Sequence, residues 1–115
     1  VEAERALALG DRIVTRLRAL QARYACIGEV RGLGMMVAME LVRNRRADAP
    51  DADLTKQLVQ AAGRRGLVLL SCGIYSNVIR FLAPLTIGEQ LLDEGLGLLE
   101  GALEEVAGAG RRATG

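Results

Sequence analysis

The sequence predicts an α+β fold, with helices on one side of a small, largely antiparallel sheet. Three observations lead there. Helical periodicity opens and closes the chain, the apolar runs between are short, and glycine, proline or polar turns bound each run. With 115 residues the chain is one domain with a single core. The elements read as helix, strand pair, helix, strand, strand, helix.

From Val1 to Tyr24, Leu9, Ile13, Leu17 and Leu20 recur at helical spacing, while Arg12, Arg16, Arg18 and Arg23 take other faces. Gly28 begins a change of period. Leu33 to Val42 is nearly all small or apolar, which predicts a strand covered on both faces. Arg31-Gly32-Leu33-Gly34 would be a bend or bulge at its start. Asn44 to Asp53 reads as a polar loop, and Asp51 or Asp53 would cap the next helix. That helix turns Leu54, Leu58, Ala61 and Ala62 inward. Arg64-Arg65 before Gly66 suits its negative C-terminal dipole end and a left-handed cap.

Gly66 to Leu70 reads as a short buried strand, and Ser71 to Asn77 as a turn-rich loop. The strand carrying Arg80 follows, closed by Pro84. Thr86-Ile87-Gly88-Glu89 is a capping box for the last helix, whose stripe is Leu92, Leu96, Leu99, Leu103 and Val106. Gly95, Gly97 and Gly101 each cost that helix about 1 kcal/mol against alanine, so it depends on packing or close approach to a neighbour. Residues 1–107 are expected to form the domain and 108–115 a flexible tail. The chain starts at Val1 in a helical pattern, which reads as a piece of something longer.

Composition removes several function classes. The formal net charge of +1 lacks the basic excess that nucleic acid attracts, and Tyr24, Tyr75 and Phe81 are too few for base stacking. No apolar run is long enough to span a bilayer, and no signal peptide opens the chain. Cys26 and Cys72 are too few for a disulfide framework, which fits the cytoplasm. The absence of histidine excludes Ser-His or Cys-His pairs and His-containing metal sites within this chain. Lys56 is the single lysine, in a polar stretch expected to be exposed.

Arg80 is the candidate binding residue. It lies in Asn77-Val78-Ile79-Arg80-Phe81-Leu82, which otherwise reads as a buried strand. Burying an unpaired guanidinium costs several kcal/mol, roughly, so an anion must meet it. No acidic residue lies between Asp53 and Glu89. The partner is then either Glu40 or Glu29 on another strand, or a ligand carboxylate matched by the arginine fork. The small, polar loop before it favours the ligand. Arg31-Gly32-Leu33-Gly34 is a weak phosphate-loop signal, because no helix follows it. Met35, Met36 and Met39 read as core filler, and Arg43, Arg45 and Arg46 as a solvated loop. Cys72 lacks the histidine a catalytic thiol would need.

Val30-Arg31-Gly32-Leu33-Gly34-Met35-Met36 followed by Glu40-Leu41 resembles the small C-terminal domain of class III, pyridoxal-phosphate-dependent aminotransferases. So does Gly66-Leu67-Val68-Leu69-Leu70-Ser71-Cys72-Gly73, with Asn77 to Ile87 behind it. These later stretches are most similar to the 4-aminobutyrate aminotransferase branch. The resemblance implies ping-pong transfer of an amino group from 4-aminobutyrate, or a similar ω-amino acid, to 2-oxoglutarate. It further implies that Arg80 binds the α-carboxylate of 2-oxoglutarate or glutamate. Such enzymes are several times longer, and their large domain supplies the Schiff-base lysine and binds pyridoxal 5'-phosphate. Lys56 does not match that lysine, so no catalytic, cofactor-binding or metal-binding residue is assigned here, and the piece alone should be inactive. The implied partners are the chain's own large domain, a second subunit of a homodimer or homotetramer, and small dicarboxylate or amino-acid substrates. Ornithine, acetylornithine and 5-aminovalerate are alternative donors. A free-standing dicarboxylate-binding module without chemistry is the rival from another class.

Overall fold

Leu9, Ile13, Leu17 and Leu20 fall on one side of α1 (Glu2–Arg23), and all four are buried. The computed structural model describes residues 2–33, 36–82 and 88–107. Gly34 of the expected bend or bulge, Met35 of the expected core filler, the strand end at Pro84, Thr86 and Ile87 of the capping box, and the tail 108–115 lie outside these residues. Among the described residues the order is α1, β1 (Ile27–Leu33), β2 (Met36–Arg43), β3 (Arg46–Pro50), α2 (Ala52–Arg64), β4 (Leu70–Cys72), β5 (Val78–Leu82) and α3 (Glu89–Ala107).

The strands pair antiparallel in the order β1-β2-β5-β4, with β3 paired to the far end of β2. This is the α+β layer the sequence predicts. One expectation about β2 fails. Val37, Met39 and Leu41 are buried, but Met36, Ala38 and Glu40 between them are only half-buried. The strand is covered on one face, because the helices lie on a single side of the sheet and leave the other bare.

Gly32 lies in β1, and a Cβ there would meet Val14 Cγ2 of α1 at 2.8 Å, so glycine lets the helix lie close on the sheet. The expected bulge sits earlier in the strand. Ile27 pairs with Leu41 and Val30 with Met39, so β1 carries one extra residue around Gly28-Glu29. That extra residue lets Ile27 and Val30 both face the core, where both are buried. At Gly28 a Cβ would stand 3.0 Å from Val42 Cγ1.

Two further segments differ from expectation. Residues 44–53 are not only loop, because Arg46–Pro50 forms β3 after a tight turn in which Asn44 and Arg45 have φ of 50° and 60°. The Gly66–Leu70 segment is not a buried strand. The strand runs Leu70–Cys72 at the sheet edge, with Leu70 68% and Val68 84% exposed.

The helix ends obey their local chemistry. The Asp51 side chain accepts from Leu54 N at 3.0 Å and caps α2. At the other end Leu67 N donates to Ala62 O and Gly66 N to Gly63 O, with Gly66 at φ 88°. These two bonds close the left-handed cap that Gly66 predicted. Helix α3 packs against α2 and α1 through Leu92, Leu96, Leu99, Ala102 and Leu103, all buried. Arg12 pairs with Asp93 at 2.7 Å, Arg16 and Arg23 with Glu100, Arg64 and Arg65 with Glu105, and Tyr24 Oη donates to Glu104.

Candidate carboxylate-binding face

Strand alternation decides where Arg80 points. Ile79 faces the core and is fully buried, so Arg80 beside it turns to the face that no helix covers. Across the sheet Arg80 is opposite Ala38 on β2 and Leu70 on β4. Ala38 is in turn opposite Arg31 on β1. One row on the bare face thus reads Arg31, Ala38, Arg80, Leu70. The neighbouring row brings Glu40, Val78 and Cys72 together.

Arg80 does not lie in the dry surroundings that its apolar neighbours predict. Its side chain is exposed, because the strand it interrupts is covered on the other face only. The internal pairing with Glu40 or Glu29 is absent as well. Arg31 Nη1 takes both, standing 3.4 Å from Glu29 Oε2 and 3.3 Å from Glu40 Oε2. Arg80 makes no ion pair or side-chain hydrogen bond with any described residue. Arg31 is what sequence reading missed. Its signal was available, since Arg31 and Glu40 lie on adjacent paired strands, but only the register shows which arginine the glutamate meets.

Asn77 is buried and ties the start of β5 to β2. Its Nδ2 donates to Leu41 O at 3.0 Å, and its own carbonyl accepts from Leu41 N at 2.8 Å. The loop before it makes a tight return, with Gly73 at φ 93°, Ser76 at φ 52°, and Ser76 N donating to Gly73 O. Ile74 and Tyr75 at its tip are 94% and 65% exposed.

The other candidates resolve into structural roles. Arg45 Nη2 donates to Gln21 O and Ala22 O at the end of α1, where a cation suits the helix dipole. Arg46 pairs with Asp48 and Arg43 approaches Asp51 at 3.8 Å. Gly32 of the phosphate-loop signal belongs to a strand rather than a helix N-terminus. Met39 is core, whereas Met36 is half-buried on the bare face. Cys72 is half-buried and Cys26 buried, and neither is in a disulfide. Lys56 is exposed on α2. Among the described residues no group of three or more His, Cys, Asp or Glu side chains could hold a metal ion. No helix among them is long and apolar enough to cross a membrane.

Comparison with known proteins adds the wider frame. The family described as Aminotransferase class-III matches residues 3–103. The 5-aminovalerate aminotransferase DavT of Pseudomonas aeruginosa is 47% identical over 104 residues, covering 90% of this chain and 24% of its own length. A 4-aminobutyrate aminotransferase of Mycobacterium tuberculosis is 50% identical over 90 residues, covering 77% of this chain and 20% of its own. Among solved structures, a Bacillus anthracis aminotransferase superposes with a TM-score of 0.81 at 27% identity, covering 89% of this chain and 24% of that one. The chain spans about a quarter of the length of the curated relatives it matches.

Proposed function

The chain belongs to the class-III aminotransferases, and we propose that Arg80 holds the carboxylate of the keto-acid acceptor in the complete enzyme. The reaction is transfer of an amino group from an ω-amino acid, 4-aminobutyrate or its one-carbon-longer homologue 5-aminovalerate, to 2-oxoglutarate. The names of the relatives support both donors, and the donor-reading residues belong to the rest of the enzyme. Residues 1–107 act as the small C-terminal domain and 108–115 as its tail, in a cytoplasmic homodimer or homotetramer.

A single observation carries the assignment. Arg80 stands on the bare face of the sheet with its fork unengaged, while both nearby glutamates are held by Arg31. A charge already neutralised by its own chain could not bind an acid without first breaking that pair. An exposed and available one can, and closing the rest of the enzyme over it would strengthen the contact by excluding water. Alternation along β5 anchors the strand through Ile79 and Asn77, so the guanidinium is aimed from a rigid element.

Class-III aminotransferases generally use pyridoxal phosphate, which serves as the acceptor of the migrating amino group. The residues described here do not form its site. The one lysine is solvent-exposed on α2, whereas a Schiff-base lysine is made nucleophilic by desolvation. No step through that cofactor is assigned to this chain.

The decisive measurement is Arg80→Lys in the complete enzyme. We expect the KM for 2-oxoglutarate to rise by about tenfold or more, as a point charge replaces a two-bond fork. An unchanged KM removes the assignment.

A further inference from the structure

The same face of the sheet carries a second device. Glu40 is opposite Val78, and Arg80 is opposite Ala38, so Glu40 and Arg80 are diagonal neighbours on one face. Such diagonal positions lie about 7 Å apart, within reach of two long side chains. Glu40 could therefore neutralise Arg80 from inside the fold. It does not, because Arg31 draws it the other way at 3.3 Å. The bulge at Gly28-Glu29 brings a second carboxylate to the same Nη1, at 3.4 Å.

We propose that Arg31 is a positioning residue that keeps Arg80 available to substrate by sequestering Glu40. This rests on the carboxylate-binding reading of Arg80 and deepens it. Ala38 is part of the device. Standing between the two arginines, it leaves the space in which Glu40 would swing or a carboxylate would settle. An acid arriving at Arg80 then does not compete with Glu40, a carboxylate of the same sheet at high effective concentration.

The test is steady-state kinetics of the complete enzyme with 4-aminobutyrate and 2-oxoglutarate. In Arg31→Met the freed Glu40 turns to Arg80, and the KM for 2-oxoglutarate rises about fivefold, the most that an exposed ion pair usually brings. The KM for 4-aminobutyrate does not follow it. In the double variant Arg31→Met, Glu40→Gln the carboxylate diagonal to Arg80 is gone, and the KM for 2-oxoglutarate returns to within about twofold of its starting value. Arg31→Lys retains a cation for Glu40 and lies between, which gives a readout should Arg31→Met fail to fold.

Two results overturn the inference while leaving the assignment of Arg80 intact. One is an unchanged KM in both Arg31 single variants alongside a raised KM in Arg80→Lys. The other is a double variant as impaired as Arg31→Met, which marks Arg31 as a brace of the sheet. If Arg80→Lys itself leaves the KM unchanged, the carboxylate reading fails and this inference fails with it.

Discussion

Arg80 on β5, the proposed carboxylate ligand, and Asn77 just before that strand have separate tasks. Asn77 is buried and bonds Leu41 through both its amide group and its backbone carbonyl. Leu41 O also accepts from Asp51 N, so the contact ties β5 and the head of α2 to one carbonyl. Losing a buried hydrogen bond of this kind costs about 1–3 kcal/mol. Asn77→Ala should therefore lower the unfolding free energy by that amount, read as a lower denaturant midpoint at an unchanged m-value. A loss below about 0.5 kcal/mol would mean the side-chain bond is dispensable. Gly32→Val should cost more than a surface change, about 1–3 kcal/mol, since its Cβ alone would stand 2.8 Å from Val14 Cγ2. An equal midpoint would show that α1 can retreat. At this scale the sequence was legible in part. A cation inside an apolar run is visible in the sequence, but the need for an anion inferred from it rested on a burial that Arg80 does not have. Its exposure is not visible, because the bare face is left by helices whose placement depends on the whole domain.

Among the elements, β3 and α3 show what local patterns carry and what they miss. Asn44 and Arg45 both take positive φ, a turn usually signalled by Asn-Gly, and arginine at the second place hid the hairpin inside a polar stretch. The cap of α2 was legible because Asp51, Arg64-Arg65 and Gly66 each act within a few residues of their own position. Helix α3 was legible in its stripe but not in the purpose of its glycines. Gly101 has a packing reason, since a Cβ there would stand 3.2 Å from Arg65 Nε. A Cβ at Gly95 or Gly97 meets nothing within 4 Å. Gly95→Ala and Gly97→Ala should each stabilise this chain by about 0.5–1 kcal/mol, through helix propensity alone. Thermal unfolding checks this. A fall in melting temperature for either would mean that the glycine serves a conformation the helix needs.

For the whole molecule, the helical layer and the bare sheet face are held to different standards. The bare face and the edge beyond it expose Val68, Leu70, Ile74 and Tyr75, more apolar surface than isolated side chains explain. The helical layer also exposes Leu7, Leu91 and Leu98, but its seams between helices are ionic. Asp93 has its pKa lowered by the hydrogen bond from Arg12, and Glu105 by hydrogen bonds from Arg65 and then Arg64. Asp93 ties α3 to α1, and Glu105 ties it to α2. A lowered folded-state value means that folding favours the charged carboxylate. The stability it adds is complete above the ordinary carboxylate range and is lost as pH falls through the lowered values. Both carboxylates lie at the surface, so each effect is small and salt-screened. Acid should therefore loosen α3 from both neighbours together, below about pH 4 and not between pH 5 and 8. Denaturant midpoints measured across that range should fall on the acid side, and the fall should shrink in Asp93→Asn, Glu105→Gln. An undiminished fall in that double variant would assign the acid sensitivity to other groups, with Glu100 and Glu104 on the same helix next to be tested.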